Sequence, residues 1–106
     1  VIGVQNISNE LPSSFALSQN YPNPFNPVTR IRFDVAENGK WKSVNETVTL
    51  KVYDVLGKEI AVLVNERLKP GTFEVKWNAS GFDSGIYFYR LSAGDFNETK
   101  KMIILK

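Results

Sequence analysis

Three carboxylates near predicted turns, Asp34, Asp54 and Asp83, are the residues of this sequence that could carry acid–base chemistry. A pair of carboxylates can hydrolyse a glycoside, and Asp83 with loop carbonyls could hold calcium. None of the three lies beside a partner base or nucleophile, and the acids are too sparse for a calcium cage. Because Asp at a turn usually accepts hydrogen bonds from backbone N–H groups, the sequence favours a structural role for all three.

The absence of His and Cys from the chain removes most other catalytic and metal chemistry. Ser-His-Asp hydrolases, Cys proteases, zinc–thiolate sites and disulfides are excluded within this chain. We therefore expect no enzyme activity, no cofactor and no metal. The net charge of +2, from 13 basic and 11 acidic residues, is too balanced for a nucleic-acid partner. The apolar runs are too short to span a membrane.

Aromatic residues are the second candidate for a binding site, because their rings can stack on sugars. Most of them alternate with charged residues along predicted strands, which indicates core packing. Trp41 is the exception, since it lies in a polar loop at 37–46 and is predicted to be an exposed contact residue. Four Asn-x-Ser/Thr triplets do not by themselves indicate glycosylation; they begin at Asn6, Asn45, Asn78 and Asn97.

A two-residue period dominates the chain after Pro27 and defines the elements that must position these groups, with the strands counted from Ala16. No stretch shows a sustained helical period. The spacing of strands and turns predicts an all-β fold, an immunoglobulin-like antiparallel β-sandwich of about seven strands with Greek-key connections. The predicted core contains Phe33, Val35, Leu50, Val52, Val75, Trp77, Tyr87, Tyr89 and Leu91.

Residues 1–14 have the composition of a linker or an N-terminal extended segment, and we assign 15–106 to the sandwich domain. Three apolar residues of this segment, Ile2, Val4 and Ile7, suit a short strand. That strand could dock on its own domain, or it could be donated to a neighbouring copy and build a homo-oligomer. We expect it to dock on its own domain.

A proline-rich segment at 20–27 forbids helix and central strand and predicts a stiff corner anchored by Tyr21 and Phe25. The run from Leu17 to Pro27, which contains this segment, together with three later runs at 52–59, 84–91 and 100–106, resembles the type A C-terminal sorting domain of type IX (Por) secretion. The four runs occur in the order typical of that family. The chain is also similar to the Ig-like domain of flagellar hook-capping proteins.

The resemblance implies a domain at the C-terminus of a large exported protein whose activity lies in an upstream cargo domain. The outer-membrane secretion machinery would recognise it, and the cargo would be released or anchored at the outer cell surface. The family's sorting motifs fall on Pro22, Asn23, Pro24, Gly85, Tyr87 and the basic strand from Lys101 to Lys106. The chain begins with Val1 and its single Met is Met102, so we expect a processed product or a piece of a longer protein.

Three functions remain open at this point. The first is a non-catalytic secretion, sorting and surface-anchoring domain, and the second is a self-assembling extracellular subunit that donates its N-terminal segment as a strand. The third is a carbohydrate-binding accessory module built around Trp41. Lys101 and Lys106 could also have a purely structural role, because solvated lysines on an edge strand prevent sheet-to-sheet aggregation.

Overall fold

The computed structural model describes residues 3–8, 10–36 and 46–106, and within these ranges the chain contains strands and no helix. Two four-stranded antiparallel sheets form a β-sandwich. The strands are β1 (Gln5–Ser8), β2 (Ala16–Leu17), β3 (Val28–Val35), β4 (Glu46–Tyr53), β5 (Glu59–Leu68), β6 (Gly71–Asn78), β7 (Gly85–Ala93) and β8 (Phe96–Ile104). Sheet A has the order β1-β6-β3-β2, and sheet B has the order β5-β4-β7-β8. No helix of the described ranges could cross a membrane.

The predicted immunoglobulin-like all-β sandwich is confirmed, with β1 as a strand in addition to those predicted from Ala16 onward. Alternate residues of each strand point to the same face, so the apolar positions of both sheets meet in one core. Tyr89, Leu50, Val52 and Leu91 are fully enclosed, and Trp77 is buried. The remaining predicted core residues are also buried, except Tyr87.

Tyr87 is half-buried rather than largely buried, which corrects the prediction. It lies on the inward-facing side of β7 but near the end of the sandwich, where its ring contacts Phe82 edge-on at 6.4 Å. Its hydroxyl donates a hydrogen bond to the Asp83 carbonyl at 2.8 Å. The amphipathic side chain therefore closes the end of the core and keeps its polar tip at the surface.

The N-terminal strand β1 pairs antiparallel with β6 of the same chain, from Gln5 opposite Glu74 to Ser8 opposite Thr72. Val4 packs against the core, whereas the Ile7 side chain is 38% exposed. Ile2 and Trp41, with the rest of the loop at 37–45, lie outside the described residues.

Two of the three carboxylates singled out in the sequence, Asp54 and Asp34, accept hydrogen bonds within the fold. One carboxylate oxygen of Asp54 accepts hydrogen bonds from the backbone N–H groups of Leu56 and Lys58, both at 2.9 Å. Asp34 accepts a hydrogen bond from the Thr72 hydroxyl at 2.7 Å. Asp54 thus stabilises a turn through backbone N–H groups, as predicted, whereas Asp34 lies within β3 and bonds across the strand pair to a side-chain hydroxyl.

Candidate recognition site at the C-terminal strand

The proline-rich corner carries the chain from one sheet to the other. Residues 16–17 pair with β3, and Tyr21 continues this pairing by exchanging two backbone hydrogen bonds of 2.9 Å with Arg30. At Phe25 the chain has reached sheet B, where it forms a parallel bridge with Ile104. Proline has no N–H group and cannot continue a ladder, so the prolines between these two points end one pairing before the next begins.

Four hydrogen bonds join the corner to the outer edge of β8. The Phe25 N–H donates to the Ile103 carbonyl, and the Leu105 N–H donates to the Phe25 carbonyl, both at 3.0 Å. The Asn23 side-chain oxygen accepts from the Ile103 N–H at 3.0 Å, and the Gln19 amide donates to the Lys101 carbonyl at 2.8 Å.

These bonds occupy backbone groups that an edge strand would otherwise leave open to another chain. The four hydrogen bonds join two segments, one near the start of the sandwich domain and one at its end. We call residues 19–25 together with 101–105 the C-terminal clamp.

A buried polar network holds the corner in place. The Asn20 side chain donates to the Thr29 hydroxyl at 3.0 Å and to the Pro22 carbonyl at 3.1 Å. The Thr29 hydroxyl donates to the same Pro22 carbonyl at 2.9 Å. Asn20 is 2% exposed and Thr29 is fully buried. Because buried polar groups are costly unless they are hydrogen-bonded, this satisfied network fixes one geometry for the corner.

Tyr89 connects the network to sheet B. Its hydroxyl donates to the Ser18 carbonyl and accepts from the Asn20 N–H, both at 2.8 Å. Burial raises the pKa of Tyr89 to about 12. The phenol therefore stays protonated at any physiological pH and keeps its role as donor to Ser18.

Sequence reasoning missed Asn20 and Thr29 as parts of the site, although a signal for Thr29 was present. Thr29 occupies an inward-facing position of β3, on the same face of the strand as Ile31, Phe33 and Val35. A polar residue in an otherwise apolar series of alternating positions indicates a buried hydrogen-bond partner. No comparable signal marks Asn20, because it lies in the proline-rich segment, which has no apolar alternation against which a polar residue would stand out.

A chain of aromatic rings connects the corner to Tyr87, one of the predicted sorting-motif residues. Phe25 lies 5.9 Å from Trp77, and Trp77 lies 5.6 Å from Phe82, measured between ring centroids. Phe82 in turn contacts Tyr87. The clamp and the motif at Gly85 and Tyr87 are thus two ends of one packed cluster.

Gly85 has a backbone φ of 152° and lies opposite Ile104, the residue that Phe25 bridges from the other side. This φ is one that residues with a side chain rarely adopt. An added Cβ would meet no atom within 4 Å, so the need for glycine comes from the backbone and not from crowding. The glycine allows β7 to begin directly beside the clamp.

The two predicted basic residues of the last strand have different surroundings. The side chain of Lys101 is exposed on β8. Lys106 lies beyond the strand, which ends at Ile104, and its ammonium group donates to the Ser80 carbonyl at 2.8 Å. Its backbone N–H donates to the Ser84 hydroxyl at 2.9 Å. Lys106 therefore ties the chain to the 79–84 loop instead of lying free on an edge strand.

The outward side of the clamp presents the predicted motif residues to solvent. Pro22, Asn23 and Pro24 are exposed, and the Tyr21 side chain is 80% exposed. The geometry of this surface depends on main-chain pairing and a buried network, and its exposed groups are proline rings, an amide and a phenol. Another macromolecule could contact all of these exposed groups at once.

The sequence was compared with known protein families, curated proteins and solved structures. A family model described as the secretion system C-terminal sorting domain matches residues 19–105. The matched span begins at Gln19 and ends at Leu105, and both residues belong to the clamp. No curated protein and no solved structure matches the chain significantly.

Proposed function

The chain belongs to the type IX family of secretion system C-terminal sorting domains, and we propose that the C-terminal clamp is the part of it that the secretion machinery recognises. Proteins that carry such a domain are secreted to the cell surface or the extracellular space, and the domain implies a cargo upstream and contact with the machinery. In this proposal the chain is a non-catalytic sorting and surface-anchoring domain. Its role is to direct the export of that cargo and not to act on a substrate.

One observation carries the proposal: the two segments that begin and end the family match are hydrogen-bonded to each other. The Phe25 backbone bonds to Ile103 and Leu105, and the Asn23 side chain bonds to Ile103. A partner that binds at this edge meets the proline corner and the last strand together. A chain with an incomplete C-terminal strand lacks this composite surface, so recognition would report that the domain is complete and folded.

The proposal is tested by export of a reporter fused to the N-terminus of the full chain, in a bacterium that has type IX secretion. Deletion of 101–106 removes one half of the clamp, and the reporter should accumulate in the periplasm. Lys101→Ala keeps the strand and removes one exposed charge, so its export should fall while its melting temperature is retained. Lys76→Ala, an exposed lysine on sheet A, is the matched control and should be exported normally. Normal surface levels for both the deletion and Lys101→Ala would contradict the proposal.

A further inference from the structure

The outer face of sheet B is polar at one end and apolar at the other. Residues that pair across neighbouring strands lie on the same face of the sheet. Each set of partners forms a row across the strands, and the rows follow one another along the strand direction. The row at the polar end is Thr49, Ser92 and Asn97. Two rows further along, the residues are Tyr53, Phe88 and Lys101, followed by Ile86 opposite Ile103.

The apolar end of this face is exposed to solvent and not covered by another described part of the chain. Ile86 is 43% exposed, and Tyr53, Phe88 and Ile103 are half-buried. A sandwich buries the inner faces of its sheets and normally keeps its outer faces polar. The apolar rows therefore do not serve the core, which lies on the opposite side of the same strands.

The turn between β4 and β5 extends the apolar surface. Asp54 fixes this turn, which presents Val55 with 64% and Leu56 with 90% of the side chain exposed. A shallow depression of about 290 Å³ between the turn and the sheet is lined by Tyr53, Asp54, Val55, Phe88 and Arg90, among others. Contiguous exposed apolar surface of this kind marks a site of protein–protein contact.

Two cations flank the apolar surface. The Arg90 guanidinium lies 5.0 Å from the centroid of the Tyr53 ring and donates to the Tyr53 hydroxyl at 3.1 Å. Lys101 lies directly opposite Phe88. Among the described residues, no carboxylate forms an ion pair with either cation, whereas the neighbouring Lys51 is paired with Glu59 at 3.2 Å.

We propose that this apolar face of sheet B, formed by Tyr53, Val55, Leu56, Ile86, Phe88 and Ile103, docks a protein component of the secretion machinery that presents apolar side chains next to carboxylates. Aromatic residues and Arg at the centre of an exposed apolar surface are typical of protein interfaces. The two unpaired cations select an acidic rim on the partner. This inference rests on the proposed sorting function and adds to the clamp a second contact surface, on a face of the sheet and not at its edge.

The charges also argue against a second copy of the chain as the occupant. In a two-fold symmetric dimer the same surface meets itself. The six apolar residues of this face include no carboxylate, so the same face of a second copy offers Arg90 and Lys101 no ion-pair partner. A partner that presents carboxylates supplies one.

The test is the reporter export assay with the double variant Val55→Ser, Leu56→Ser and, separately, with Arg90→Glu. Both changes are at exposed positions, so the melting temperature of the purified chain should be retained. Surface display should fall about tenfold or more, as for the loss of central interface contacts. The matched controls are Leu11→Ser, at a Leu that is 59% exposed elsewhere, and Lys76→Glu. Both should be displayed normally.

The outcomes separate this inference from the proposed function. If the face variants are displayed normally while deletion of 101–106 blocks export, the docking face is wrong and the sorting function stands. If the deletion is also exported normally, the sorting function itself fails. Light scattering supplies a third outcome: a dimer of the full chain that becomes monomeric in Val55→Ser, Leu56→Ser would assign the face to a second copy and overturn the inference.

Discussion

Phe25 brackets Ile104 with two backbone hydrogen bonds, one to the Ile103 carbonyl and one from the Leu105 N–H, both at 3.0 Å. The Phe25 side chain is 2% exposed and contacts Trp77 in the core. The same residue therefore fixes the last strand through its backbone and anchors the corner through its ring. This double attachment explains how a segment rich in proline can hold the edge of a sheet that it reaches from the opposite layer.

Trp77 should be a principal determinant of stability, because it is buried and contacts the rings of both Phe25 and Phe82. Trp77→Ala should lower the free energy of unfolding by about 3–5 kcal/mol, as measured by urea denaturation. Trp41→Ala, in the loop predicted from sequence to be exposed, should cost under about 0.5 kcal/mol. Equal costs at the two positions would show that the loop was misassigned.

The pKa of Tyr89 predicts a loss of stability at high pH. Burial raises this pKa from 10.0 in the unfolded chain to about 12 in the folded one. Because the pKa is higher in the folded chain, the protonated Tyr89 contributes fully to the free energy of unfolding below pH 10. This contribution is lost as the pH rises through about 12. Tyr89→Phe removes the titrating group and leaves the Asn20 N–H and the Ser18 carbonyl without this partner, which should cost about 1–3 kcal/mol at neutral pH. The difference in unfolding free energy between the two chains should therefore shrink from pH 10 to 12, and a constant difference would contradict the assignment.

Gly85 should be intolerant of any side chain for conformational reasons alone. Gly85→Ala should destabilise the domain by about 1–3 kcal/mol, the cost of a residue held in a sparsely populated backbone region. Gly81→Ala is the matched control, since a Cβ there also meets nothing within 4 Å and no restrictive φ applies. Similar melting temperatures for the two variants would rule out backbone strain at Gly85.

The N-terminal segment should leave the chain monomeric, because β1 already pairs with β6 of its own chain and Val4 packs on its own core. Light scattering should give the monomer mass for the full chain and for a chain that starts at Ser14. A polymer that becomes monomeric on this truncation, or on Ile2→Asp with Val4→Asp, would favour the self-assembling subunit.

The sequence predicted the strands well because alternation is a local signal, visible in runs such as 31–35 and 73–77. It predicted that the prolines form a corner but not where the corner docks. Asn23 and Ile103 are 80 positions apart, and the periodicity of a strand does not reveal which of its edges another segment will cover. Tyr87 was misjudged for a related reason: alternation assigns a residue to the inner face but does not show how near it lies to the end of the sandwich.

The central claim is that export depends on the bonded clamp and not merely on a folded domain, and Asn23→Ala tests it most directly. The change removes the side-chain oxygen that accepts from the Ile103 N–H, an exposed bond worth only about 0.5–1.5 kcal/mol, so the fold should persist. The measurement is the amount of a fused reporter at the cell surface, compared with Asn65→Ala, an exposed Asn on β5 away from the clamp. We predict a clear loss of surface display for Asn23→Ala and none for Asn65→Ala. Equal display of the two folded variants would contradict the account.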